Sequence, residues 1–166
     1  MDSSLRVPIY FRITLISLAL LFCYVPTPVS AQQTKPDLSG TWKLKHSKSK
    51  LDVDHPILSD ECKINHSEPR LVMVFTFPQS SMIYSYMTDG EERVANSSSQ
   101  NGVTRAKAYW DGDTLVIEGR NERSGDSWTA RYTLSQDGRN LVVARHLNKS
   151  SFHPASDELI IFGKRN

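Results

Sequence analysis

Cysteine is scarce in this chain of 166 residues, and its opposite charges almost cancel. It has two cysteines, and its 20 Lys and Arg residues stand against 18 Asp and Glu, for a formal net charge of +2. That balance implies no polyanionic partner. No run of basic residues with interleaved aromatics indicates a nucleic-acid surface either. We therefore expect no nucleic-acid partner.

Motifs for catalysis and for cofactor binding are also missing from the sequence. It has no Gly-x-Ser-x-Gly turn for a nucleophilic serine, no phosphate-binding loop and no dinucleotide fingerprint. Asp111 and Asp113 flank a glycine in a predicted turn, where aspartate bonds to the local backbone. The sequence predicts no enzymatic activity, no cofactor and no metal site, because its histidines lack the spacing of a metal motif: His46, His55, His66, His146 and His153.

The first 31 residues have the pattern of a signal peptide. Residues 1–12 carry two arginines against one aspartate, and residues 13–25 are almost wholly apolar. This apolar run is shorter than the ~20 residues of a transmembrane helix, and Val29-Ser30-Ala31 offers small residues for cleavage. We predict a signal peptide over residues 1–31 and export to the periplasm or the outside of the cell. An uncleaved N-terminal anchor is the alternative.

Cleavage there leaves one domain of ordinary size, residues 32–166, with no predicted membrane span. Of the charged residues, 18 basic and 17 acidic ones remain after the loss of two arginines and one aspartate. Cys62 is the one cysteine left, so the domain makes no internal disulfide and depends on packing. We interpret Cys62 as a small apolar strand residue rather than a reactive thiol, with intermolecular pairing still open.

Short alternating or β-branched runs fill this domain, and helical periodicity is almost missing. Two Asp-Gly turns, at residues 111–113 and 136–139, each join two such runs. Regular short strands favour an antiparallel sandwich or a closed barrel of eight to ten strands. The serine-rich residues 96–102 are predicted to form a loop. The predicted strands cover residues 40–46, 70–77, 82–87, 92–96, 103–110, 114–120, 126–134, 140–147 and 158–164.

Three segments, in this order, resemble a known group of proteins. Residues 38–44 read Leu-Ser-Gly-Thr-Trp-Lys-Leu, residues 109–118 contain Trp-Asp-Gly-Asp-Thr-Leu-Val-Ile-Glu, and residues 133–141 contain Leu-Ser-Gln-Asp-Gly. They are similar to small secreted bacterial lipocalin-like proteins of the calycin group, which includes lipocalins and fatty-acid-binding proteins. The resemblance implies an all-β, antiparallel up-and-down barrel. A fatty-acid role is not carried over, because the Arg-x-Tyr pair that holds a carboxylate in the last strand of fatty-acid-binding proteins is missing.

The same resemblance assigns a structural role to three residues. Gly40 and Trp42 would open the first strand, with the Trp42 ring closing one end of the barrel. In calycins a basic side chain from a late strand crosses this tryptophan. Arg145 is the predicted partner because it is a charge within an apolar strand, and a cation over an indole contributes ~0.5–2 kcal/mol.

Aromatic residues and methionines of the predicted strands are the candidates for a ligand site. Such side chains give adaptable apolar walls with a few hydroxyl donors. We expect a non-enzymatic protein that holds a small apolar or amphipathic molecule in the barrel, although packed core is an alternative for each residue. Met82 and Met87 share these properties, and the main candidates are Met73, Phe75, Tyr84, Tyr86 and Tyr132.

Three further interpretations stay open. Loops at residues 96–102 and 149–156 could dock a protein partner in the cell envelope, as an interaction or inhibitor module. An enzyme that uses the barrel mouth is the weakest alternative, since no catalytic set is visible. Arg105 and Lys107 share one face of a strand with Tyr109, and that face is either solvated or an anion-attracting part of the lumen.

Overall fold

Ten β-strands build the part of the chain that the computed structural model describes, residues 34–51, 59–151 and 154–165. Within these ranges the one helical element is a 3-10 turn at His46–Lys48. The predicted signal peptide lies outside them. The strands are β1 Gly40–Leu44, β2 Glu61–Ser67, β3 Arg70–Phe77, β4 Ser80–Met87, β5 Arg93–Ser98, β6 Gly102–Asp111, β7 Thr114–Asn121, β8 Ser127–Leu134, β9 Asn140–Leu147 and β10 Ser156–Lys164.

The strands form a single antiparallel sheet that curls into a barrel. Its order is β4-β3-β2-β1-β10-β9-β8-β7-β6-β5, so neighbours in sequence are neighbours in space and β1 pairs with β10. β4 and β5 end this order, and between them Asn96 Nδ2 donates a hydrogen bond to the Ile83 carbonyl at 2.6 Å. The structure therefore confirms an all-β, up-and-down barrel at the upper limit of the predicted eight to ten strands.

Alternation along each strand sends every second side chain into the barrel. On β9, Leu141 and Val143 are 1 % and 2 % exposed, whereas Ala144 between Val143 and Arg145 is exposed to solvent. Fully burying one such aliphatic side chain contributes about 1.5–3 kcal/mol. A barrel with one buried cysteine and no disulfide among its described residues is thus held together by its interior.

Two segments differ from their sequence-based assignment. β2 is absent from the predicted strands because Glu61–Ser67 is mostly polar, yet Cys62 and Ile64 alternate inward and are buried. The predicted loop at residues 96–102 is wrong in its extent, since β5 continues through Ser98 and β6 begins at Gly102. Pairing with β6 satisfies the backbone of these serines and outweighs their preference for loops.

Candidate functional site in the barrel interior

A cavity of about 440 Å³ lies inside the barrel. Its walls come from eight of the ten strands and from two turns, and they are mainly aromatic and aliphatic. This volume lies within the range of roughly 300–1,000 Å³ that is typical of small-molecule sites. The barrel interior is therefore only partly filled by its own side chains, and it has room for a small molecule.

Four of the five predicted ligand residues line this cavity. Phe75, Tyr84, Tyr86 and Tyr132 border it, while Met73 is fully buried and does not. The Phe75 and Tyr84 rings meet edge to face at 5.9 Å, and the Tyr84 and Tyr86 rings are nearly parallel at 6.3 Å. These ring contacts fix the shape of one wall. A role of these residues in ligand binding stays a prediction.

Two tyrosine hydroxyls in the cavity make no hydrogen bond with any residue that the structure describes. They belong to Tyr86 on β4, which is 7 % exposed, and to Tyr132 on β8, which is six positions away from β4 in the strand order. Burial raises the pKa of both hydroxyls well above their ordinary value of 10. Burial also raises the pKa of the Cys62 thiol to about 12. These groups therefore stay protonated and uncharged.

An ion pair lies on β9 and β10, next to the strand that carries Tyr132. Arg145 Nε donates to Glu158 Oε2 at 2.6 Å, and Nη2 of the same guanidinium contacts the same oxygen. The Glu158 side chain has no exposed surface and that of Arg145 is 16 % exposed. The Arg145 charge acts on Tyr84 and Tyr132, since it opposes the rise that burial causes in their pKa. Both charges of this pair thus lie within the barrel wall.

Trp42 closes one end of the barrel, but its cationic partner is not Arg145. The ring is fully buried, and its Nε1 donates to the Leu38 carbonyl at 3.0 Å. Lys164 Nζ lies 5.4 Å from the ring centroid. Gly40 has a φ of +148°, and a Cβ there would come within 3.0 Å of Lys164 Cε. The pairing predicted for Arg145 is therefore corrected to Lys164.

A polar network covers the same end. His66 Nε2 and Glu68 Oε1 are 2.9 Å apart, and the Leu38 N–H donates to His66 Nδ1 at 3.3 Å. Trp110 Nε1 and Thr88 Oγ1 both donate to the Glu68 carboxylate at 2.5 Å. Burial tends to raise the pKa of Glu68, but the hydrogen bonds from Thr88, His66 and Trp110 lower it below its ordinary value. Because Nδ1 accepts from the Leu38 N–H, Nε2 is the ring nitrogen that donates to Glu68.

Sequence alone did not find this network. His66 and Glu68 are only two residues apart, but Thr88 and Trp110 come from parts of the chain 20 and 42 residues away from Glu68. Contacts between residues that are distant in sequence follow from strand order and register rather than from any local motif.

The opposite end of the barrel has a polar rim. Arg123 Nη1 donates to the Gln100 carbonyl at 2.7 Å, and Asn121 Nδ2 donates to the Asn101 carbonyl at 2.8 Å. These bonds tie the β5–β6 turn to the β7–β8 turn. All four residues also line the cavity. The rim is therefore the candidate entrance, because it is the polar boundary between the apolar interior and solvent.

The basic face of β6 points away from the cavity. Lys107 pairs with Glu118 at 2.9 Å and Arg105 with Glu122 at 2.5 Å, and all four side chains are more than one-third exposed. The opposite face of the strand carries buried alanines, Ala106 and Ala108. Of the two interpretations of this basic face, the structure favours the solvated one.

No cluster of three or more His, Cys, Asp or Glu side chains suited to a metal occurs in the described residues. A search of the same residues for a helix long and apolar enough to cross a membrane also finds none.

Neither a comparison with models of protein families nor one with curated protein sequences finds a match. Solved structures do match. The chain shares the fold with a fatty acid transporter, REP1-NXSQ, at a TM-score of 0.59 and 10 % identity, covering 78 % of this chain and 97 % of that one.

Two further structures extend the same likeness. Fatty-acid-binding protein 1 of Echinococcus granulosus has a TM-score of 0.57 and 10 % identity, and human cRBP IV has 0.56 and 17 %. Each alignment covers 78 % of this chain, with 98 % and 99 % of those chains. At such low identity the comparison shows the fold alone. The protein has an antiparallel, up-and-down β-barrel with an internal cavity.

Proposed function

We propose that this protein is an exported, non-enzymatic carrier that holds a small apolar or amphipathic molecule inside its barrel. The cavity of about 440 Å³ carries the proposal, because an unfilled apolar interior is what such a function requires. The fold supports it, since a fatty acid transporter and a fatty-acid-binding protein share it. The signal-peptide pattern of residues 1–31 supports export.

Burial of apolar ligand surface supplies the binding free energy. A ligand that buries about 500 Å² gains about 12.5 kcal/mol at ~25 cal/mol per Å². Association costs at least about 4 kcal/mol in lost translational and rotational freedom. The difference corresponds to a dissociation constant of roughly a micromolar at best. The ligand enters through the polar rim, and its apolar tail packs against the aromatic side chains of the cavity.

Filling the cavity tests this function. Val143 is 2 % exposed and lines the cavity, so Val143→Trp places a large ring in the space a ligand needs. We expect this variant to lose binding of Nile red, a neutral apolar dye, by about tenfold or more. The measurement is dye fluorescence against protein concentration, with circular dichroism to establish that the barrel still folds.

Ala144 offers a matched control on the same strand. It is exposed on the outer face, so Ala144→Trp adds the same ring without entering the cavity. Dye binding should stay within about twofold of the original protein. If both variants bind the dye equally well, the dye does not occupy the barrel, and the carrier function is wrong.

A further inference from the structure

The charges within the barrel wall cancel. Arg145 is paired with Glu158, whose side chain is fully buried, so a ligand carboxylate that approaches the guanidinium also approaches a buried anion. The rim repeats this balance with one cation, Arg123, and one anion, Asp126. A carboxylate taken out of water is tolerated only where it gains a compensating charge. The two arginines of the lining, Arg123 and Arg145, are balanced by Asp126 and by Glu158, which pairs with Arg145 without lining the cavity, so no positive charge is in excess.

The cavity does supply uncharged hydrogen-bonding groups. Tyr86 and Tyr132 border it, and their hydroxyls, which keep some accessible surface, make no hydrogen bond to a described residue. Buried polar groups in folded proteins are almost always hydrogen-bonded to protein, water or ligand. A phenol can donate to a carbonyl or hydroxyl oxygen and can accept from a hydroxyl. These two groups are therefore suited to the polar end of a neutral molecule.

We infer that the cavity selects apolar molecules with an uncharged hydroxyl or carbonyl end over carboxylates of the same chain length. This inference rests on the proposed carrier function and names the ligand class of the same site. Tyr86 and Tyr132 bind the polar end, and the Arg145–Glu158 pair keeps the cavity electrically neutral. The aromatic wall of Phe75 and Tyr84 holds the tail.

Competition between two ligands that differ only at one end tests the selection. Dodecanol and dodecanoate are titrated, below the concentrations at which they aggregate, against the protein with bound Nile red. The solution is held at about pH 8, where dodecanoate is ionised. We expect dodecanol to displace the dye at a concentration about tenfold lower than dodecanoate. Equal or tighter binding of dodecanoate overturns the inference and leaves the carrier function in place.

Variants of the ion pair show whether its neutrality is the cause. Glu158→Gln leaves Arg145 without its anion, so the affinity for dodecanoate should rise about tenfold while that for dodecanol changes little. The double variant Arg145→Gln/Glu158→Gln is neutral again and should prefer dodecanol, like the original protein. If the double variant prefers dodecanoate, the ion pair is not the cause and the inference is wrong.

The tyrosines give a second, independent readout. Replacing both Tyr86 and Tyr132 by Phe keeps the apolar rings and removes the hydroxyls. The affinity for dodecanol should therefore fall by about tenfold, while the affinity for Nile red should stay the same. Unchanged dodecanol affinity contradicts the role assigned to them. If Nile red, dodecanol and dodecanoate all fail to bind the original protein, the carrier function itself is wrong, and the inference fails with it.

Discussion

Glu68 connects three elements at the closed end of the barrel. Its carboxylate accepts hydrogen bonds from Thr88 and Trp110 and contacts His66. Despite the opposing effect of burial, these bonds lower its pKa from the ordinary value of 4.5. A lowered pKa in the folded state means that the contribution to stability is complete above about pH 4.5 and is lost as the pH falls through the folded-state pKa.

Glu68→Gln should therefore change the acid dependence of stability. We expect the variant to be less stable than the original protein at neutral pH, because the amide is a weaker acceptor than the carboxylate. The difference should shrink as the pH falls below about 4.5. Urea unfolding at a series of pH values measures it. A difference that stays constant down to the lowest pH would show that the charge of Glu68 plays no part.

The cation over Trp42 could not be chosen from sequence. Arg145 and Lys164 are both basic residues of late strands, and both fit the expected pattern. The register decides between them, because Trp42 pairs with Lys164, whereas Arg145 pairs with Glu158, six residues earlier on β10. At about 3.3 Å per residue, the six residues between Glu158 and Lys164 correspond to about 20 Å along β10. Arg145 thus reaches the ion pair in the lumen instead of the closed end.

The inward direction of the tyrosines was easier to predict. Two-residue alternation places Tyr84 and Tyr86 on one face of β4 and Tyr132 on one face of β8, and all three border the cavity. Alternation also turns Met73 inward, but there it is packed at 0 % exposure. Which inward side chains border empty space depends on how all strands fill the barrel together, and no single strand contains that information.

At the scale of elements, β7 and β8 pack closely where the ring of a tryptophan on β8 lies against a glycine on β7. Gly119 pairs with Trp128, and a Cβ on Gly119 would lie 2.4 Å from the Trp128 ring. We expect Gly119→Ala to destabilise the protein by about 1–3 kcal/mol, because overpacking forces the ring to move. Trp128 lines the cavity, so dye binding should change as well. Urea unfolding monitored by fluorescence measures the stability, and a titration with Nile red measures the dye binding.

A double-mutant cycle separates the clash between the added methyl group and the Trp128 ring from an effect of the substitution on the backbone. In a Trp128→Ala background the ring is gone, so adding Gly119→Ala should cost much less than in the original protein. Equal costs in the two backgrounds would place the effect in the backbone and not in the contact between Gly119 and Trp128.

Strand boundaries were predictable where turns are chemically distinct. The Asp-Gly turns give the β6–β7 and β8–β9 hairpins, with only small shifts at their ends. β2 and the end of β5 were not predictable, because their residues are polar and gain strand structure only from neighbours. For such segments the partner strands, and not local propensity, determine the conformation.

At the scale of the whole molecule, the pattern of short strands left a sandwich and a barrel open, and the resemblance of three segments predicted the barrel but not how its interior is filled. Consecutive antiparallel pairing follows from the short connections, whereas the β1–β10 pairing joins the first strand to the last. The cavity, the paired charges of Arg145 and Glu158, and the unbonded hydroxyls of Tyr86 and Tyr132 arise from long-range packing. These same features carry the functional proposals.

The most direct test of the account is the crystal structure of the protein with dodecanol. We predict one alkyl chain inside the barrel, against Phe75 and Tyr84, with its oxygen about 2.7–3.0 Å from the hydroxyl of Tyr86 or Tyr132. A collapsed interior, or dodecanol bound only on the outer face of the sheet, would contradict the claim that this barrel is a carrier.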